Sequence, residues 1–237
     1  MNGLIGIAGV VGILLLVGGV LGWIRRDRFS PGWLFVAAGL VMLNDCLLTN
    51  LYGLLPVLPS GDWNWQGKAL ALTATLGIAG LPAFGWRACG FTLRQAPDSL
   101  TTALPVALLY VALFVALGLA FPNEPASVET LAFQLTMPGL EEELFYRGLL
   151  LVVLARAFTG RVRFLGVEWG WGALLSCMLF GLAHAFGFSR GGFHFDPITM
   201  ALTAIPSLIA VWLALRTRSV ALPVILHNFG NAITLMI

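Results

Sequence analysis

A polytopic, all-α bundle of membrane-crossing helices is the fold the sequence predicts, and three observations predict it. The first is composition: 59% of the 237 residues are hydrophobic and 10% carry a charge. Soluble domains carry about 25% charged residues, and a soluble fold has no way to hide so much apolar surface. The second is run length, because eight apolar stretches approach the ~20 residues that a spanning helix needs. The third is the placement of arginine, which alternates from one connection to the next.

The runs extend from Asn2 to Ile24, Gly32 to Leu54, Lys68 to Trp86, Leu104 to Phe121, Val128 to Leu154, Gly170 to Phe186, Pro197 to Leu215 and Val220 to Ile237. The first has no positive segment ahead of it and arginines behind it, so it reads as a retained helix and not a cleaved signal. The fifth contains Pro138, which should kink or break its helix. No internal repeat or low-complexity tract interrupts the series, so one integral membrane domain is expected over residues 1–237.

Arg25, Arg26 and Arg28 follow the first run, Arg87 and Arg94 the third, Arg156, Arg161 and Arg163 the fifth, and Arg216 and Arg218 the seventh. These four connections hold ten of the thirteen basic residues. The connection after the fourth run has Glu124 and Glu129 and no basic residue, and that after the sixth has only Arg190. By the positive-inside rule the basic connections are cytoplasmic and both termini lie outside. A bacterial inner membrane is the expected location. Tryptophans near the predicted ends, such as Trp23, Trp86 and Trp169, suit an interfacial belt. Cys46, Cys89 and Cys177 stand far apart and suggest neither a disulfide framework nor a metal knuckle. No basic, aromatic-interleaved stretch suggests nucleic-acid binding.

The stretch Pro138–Leu150, PGLEEELFYRGLL, places Glu141, Glu142, Glu143 and Arg147 inside an apolar run. Ionisable groups there are costly unless paired or facing a cavity. In a helix Glu143 and Arg147 share a face, in the favourable order for an ion pair. Glu142 lies about 100° round from Glu143 and has no basic partner within the motif. Balanced between burial and the guanidinium, it suits a general base. The bland reading of the cluster is an ion-pair knot that joins two helices.

Of the three histidines, His184 lies four residues after Phe180 in FGLAHAF, and His227 shares a helix face with Asn231 in LHNFGN. His194 lies in the glycine-rich segment GFSRGGFHFDP, which reads as a loop. A lone histidine on an apolar helix is usually a core residue. Two of them, one in register with an asparagine, in a bundle that also holds a glutamate cluster, point to a hydrolytic centre. Glu142 and His184 can hold and deprotonate a water, while His227 and Asn231 donate to the oxyanion formed when it attacks a carbonyl. No serine or cysteine stands in a nucleophile-like motif, so water is the expected nucleophile.

Glu142-Glu143-x-x-x-Arg147, Phe180-x-x-x-His184 and His227-x-x-x-Asn231 resemble, in order and in spacing, the motifs of the CPBP family. That family groups CAAX-type prenyl endopeptidases with bacteriocin-processing and related membrane proteases. The likeness covers Pro138 to Asn231; the four runs before it match no motif. It implies an eight-helix intramembrane protease acting on a membrane-associated protein or peptide. It also implies that Glu142 and His184 activate water, that His227 and Asn231 stabilise the oxyanion, and that Glu143 and Arg147 support the site. Glu141 falls outside the motif and receives no role.

No cofactor is expected, with zinc as the alternative, since Glu142, His184 and His227 could supply three ligands. There is no HExxH motif, and Asn231 in register with His227 suits an oxyanion hole better. The sixth run leads outward, which puts His184 toward the outer leaflet and favours an exported, membrane-tethered substrate. Two rival readings remain. A proton-coupled transporter would use Asn44, Asp45 and Asn50 as a relay. A non-catalytic role, such as self-immunity to a bacteriocin, is compatible with the same fold.

Overall fold

The computed structural model describes residues 2–51, 61–124 and 126–237; within these, the side chains of Asn50 and Leu51 are not described. Helices dominate: α1 (Asn2–Ile24), α2 (Pro31–Cys46), α3 (Trp65–Ala79), α4 (Leu100–Ala120), α5 (Val128–Gln134), α6 (Leu151–Ala157), α7 (Trp171–Ala185), α8 (Pro197–Thr217) and α9 (Ala221–Ile233). A π-wound stretch, Gly139–Leu150, runs directly into α6, and α2 loosens into a π turn over Leu47–Leu51. The far end of the second apolar run, 52–54, lies outside the described residues.

Local chemistry sets the boundaries. Pro31 and Pro197 begin α2 and α8, where a missing N–H costs nothing. Asp196 caps α8 by accepting from the backbone N–H groups of Ile198 (2.9 Å) and Thr199 (3.2 Å). Asn64 and Ser127 cap α3 and α5 in the same way, through Gly67 and Thr130.

Each of the eight apolar runs contains helix, and four helical stretches are long and apolar enough to cross a membrane: Asn2–Ile24, Pro31–Thr49, Leu100–Ala120 and Pro197–Thr217. Trp171–Ala185 is apolar but shorter. Other runs are cut by their own breakers. α3 stops at Ala79 instead of reaching Trp86, because Gly80 and Pro82 follow and Gly85 takes a positive φ of 88°. The fifth run divides at Leu135 and Thr136, just ahead of Pro138, where the proline predicts a break.

Two antiparallel hairpins modify the all-α expectation. β1 (Val162–Phe164) pairs with β2 (Val167–Trp169), and β3 (Phe186–Ser189) pairs with β4 (Gly192–Phe195), with Gly187 opposite His194. The segment read as a loop is therefore a strand pair, built on the alternating aromatics Phe186, Phe188, Phe193 and Phe195 and turned by Gly191 at φ 80°. It rests on α1, where a Cβ at Gly9 would stand 2.7 Å from the Phe186 ring.

The connections sort to two faces. Thr159 N donates to Arg28 O (2.9 Å), Arg156 Nη1 to Ala83 O (2.5 Å), Ala96 N to Thr217 O (2.7 Å) and Val220 N to Gly90 O (3.1 Å). The basic connections after α1, α3, α6 and α8 thus share one face. On the other, Trp63 Nε1 donates to Thr130 Oγ1 (3.0 Å) and Asn123 Nδ2 to Thr234 O (2.6 Å). The main core joins α1, α2, α6 and α7 around Leu14, Leu149, Leu150, Leu154 and Leu179, none more than 1% exposed.

Candidate active site

The π-wound stretch holds all three consecutive glutamates, and its i→i+5 bonding is of a kind that recurs at functional sites. It passes so close to α9 that residue 139 must be glycine: a Cβ there would lie 2.6 Å from both Asn228 Oδ1 and Val224 O. Asn228 clasps the break, accepting from Gly139 N (2.7 Å) and donating to Thr136 O (3.1 Å).

The glutamates go three ways. Glu141 is fully buried and accepts from Asn44 Nδ2 (3.0 Å) and Lys68 Nζ (2.7 Å). Glu142 takes the same ammonium on Oε1, while Oε2 faces His227 Nε2 at 3.7 Å and His184 Nε2 at 3.9 Å. Among the described residues, that Oε2 has no hydrogen-bond partner. Glu143 accepts from His227 Nδ1 at 2.7 Å and stands 3.1 Å from Arg147 Nε. Each charge taken from water costs several kcal/mol, and here each is met by an opposite one. Three carboxylates against two cations leave the fully ionised cluster one proton short of neutrality with both imidazoles neutral.

Phe180 organises the histidines. Its carbonyl accepts from His184 Nδ1 (2.8 Å), which leaves Nε2 of the neutral ring free toward Glu142. Its ring packs against His184 (4.7 Å between centroids), edge-on to His227 (6.0 Å), and 4.1 Å beneath the Arg147 guanidinium. A cavity of about 760 Å³ is lined by Lys68, Glu142, Glu143, Arg147, His184, His227 and Asn231. Its wall also includes Trp63, Thr130 and Thr234, which belong to the face away from the basic connections. The side chains of Glu142 and His227 are 14% and 15% exposed, although Glu142 Oε2 itself is buried. Asn231 Nδ2 donates one hydrogen to Gln134 Oε1 (3.1 Å).

The structure thus brings together Glu142, Glu143, Arg147, His184, His227 and Asn231. It gives Glu141, left without a role in the sequence, the place of a buried anchor, and it gives Glu142 the basic partner that its motif lacks. His194 stays in the β3–β4 hairpin, over Gly187. The transporter-like Asn44 and Asp45 part company: Asn44 serves Glu141, and Asp45 pairs with Thr49. The Asn50 side chain lies outside the described residues. Sequence reasoning missed Lys68, Asn44, Gln134 and Asn228 as members of the site. One signal was available, since Lys68 is a basic residue outside the arginine alternation and at the head of an apolar helix. Among the described residues no group of three or more histidine, cysteine or acidic side chains stands where it could hold a metal ion, and Glu142 Oε1 is paired with the Lys68 ammonium.

A membrane-type helical bundle around a buried acid–imidazole centre defines a class of protein, and comparison points to a related family. The family model described as Rce1-like, type II CAAX prenyl endopeptidase Rce1-like, matches residues 124–233, from before the glutamate cluster to beyond Asn231. This match supports the resemblance to the CPBP family of intramembrane proteases that the motifs carry. No curated protein and no solved structure gives a significant match.

Proposed function

We propose that the protein is a glutamate-type intramembrane endopeptidase that hydrolyses a peptide bond of a membrane-associated protein, with no cofactor. One observation carries the reading: Glu142 Oε2 and the Nε2 atoms of His184 and His227 converge on a cavity at 3.7–3.9 Å. These gaps are too long for direct hydrogen bonds, and a small opening of the site, in which Oε2 is buried, admits a water between them.

Glu142 takes the proton of that water while His184 Nε2 orients it, and the hydroxide adds to the scissile carbonyl. Asn231 offers its second Nδ2 hydrogen to the oxyanion. His227 donates its Nδ1–H to Glu143 in a hydrogen bond, so it donates through Nε2 only in the form with both ring nitrogens protonated. Glu142 then returns its proton to the leaving amine. Lys68 fixes the Glu142 carboxylate, and Glu143 with Arg147 fixes the His227 ring. Activity that survives exhaustive chelation supports a metal-free mechanism; loss to a chelator with recovery on adding zinc overturns it.

All eight apolar runs cross the membrane in this reading, as a single domain, with both termini outside a bacterial inner membrane. The cavity then reaches the outer face, which favours an exported, membrane-tethered substrate. Reporter fusions after Arg25 and at Ile237 test the orientation; a cytosolic Ile237 rejects it. The activity is tested by mapping protein termini in membranes from cells with the protein, without it, and with Glu142→Gln at equal expression. Termini present only with the parent support a protease. Identical termini in parent and Glu142→Gln membranes reject it.

A further inference from the structure

A second cavity, of about 750 Å³, lies at the basic face, and nothing in the peptidase reading uses it. Its wall carries Arg87, Arg163, Arg216 and Arg218 against one carboxylate, Glu168. Among the described residues none of those four guanidinium groups has an ion-pair partner. Glu168 stands opposite Arg163 in the β1–β2 register, and Arg216 is steadied by Thr102 Oγ1 (2.8 Å) and Asp98 O (3.1 Å). Arg147 lines this cavity as well as the other, so the Glu143–Arg147 pair stands between the two. Beside Arg163 the hairpin turns apolar side chains outward: Val162 is 71% exposed, Phe164 61% and Leu165 66%. A water-facing hairpin would not display these, whereas a lipid-facing one would.

We propose that this cavity binds the phosphate of an anionic phospholipid headgroup, with the apolar β1–β2 turn against the acyl chains. Guanidinium forks match phosphate oxygens in a bidentate way, and basic pockets at the ends of membrane helices suit anionic headgroups. The arginines come from three separate connections, so a headgroup held among them ties α3, α6 and α8 together at that face. The site does not depend on the peptidase reading and stands whether or not Glu142 is catalytic.

The test uses the whole protein in neutral detergent, titrated with phosphatidylglycerol, with phosphatidylcholine and with inorganic phosphate, and binding is read from the shift in unfolding midpoint. Phosphatidylglycerol should bind and phosphatidylcholine should not. Each of Arg87→Gln, Arg163→Gln and Arg218→Gln should weaken phosphatidylglycerol by roughly tenfold or more, as loss of a charge-assisted contact does. Glu168→Gln should tighten it, which guards against the arginine variants simply folding poorly. A shift from inorganic phosphate as large as that from the lipid supports the anion site and assigns it to free phosphate. Equal binding of both lipids, or undiminished binding by the arginine variants, overturns the proposal.

Discussion

The family-matched segment, residues 124–233, and the helices before it contribute unlike things to the candidate site. The matched segment supplies all the clustered carboxylates and both imidazoles. The earlier helices supply Lys68 and Asn44, which hold Glu141 and one oxygen of Glu142. The matched segment also contains a cation of its own, Arg147, but spends it on Glu143, 3.1 Å away. Two buried carboxylates would therefore lack a counter-charge if the N-terminal helices did not pack against the π-wound stretch. Reactive groups and the groups that make their burial tolerable come from different halves of the chain.

Lys68→Met breaks this division most directly. It strips the ammonium from two carboxylates at once, and removing one partner of a buried pair costs about 3–5 kcal/mol. The unfolding midpoint in detergent should fall accordingly; an unchanged midpoint would mean that the halves are not joined through this charge. Asn231→Ala, by contrast, should leave the midpoint alone and lower cleavage by about 10²–10³-fold, as loss of an oxyanion donor does. Asn44→Ala removes a neutral donor from Glu141 and should cost about 1–3 kcal/mol of stability, read in the same unfolding experiment. Gln134→Ala should be mildest. It frees the Asn231 carboxamide and should slow cleavage roughly fivefold, the equivalent of about 1 kcal/mol, without moving the midpoint.

What could be read in the sequence divides along the same line. Glu143 with Arg147, His184 with Phe180, and His227 with Asn231 are each local pairs at helical spacing, and each pair appears in the fold on one element. The alternating arginines likewise predict which connections share a face. The pairings that escaped are those across large sequence separations: Lys68 with Glu141, Asn44 with Glu141, and Gln134 with Asn231. No periodicity reports such contacts. The π winding of Gly139–Leu150 escaped for a related reason, because it accompanies the close approach to α9 at Gly139 and not a local propensity. The β3–β4 hairpin was legible in principle, since its aromatics alternate with period two, but its glycines are equally the mark of a loop.

The central claim is that the Glu142 carboxylate deprotonates the attacking water in a cavity shared with His184 and His227. It is tested most directly by reconstituting the purified parent and Glu142→Gln proteins in liposomes with a substrate identified from the terminus maps, then comparing single-turnover cleavage at matched folded protein. The account predicts a fall of about 10²–10⁴-fold, the contribution of a positioned general base. Cleavage by Glu142→Gln at the parental rate would contradict it.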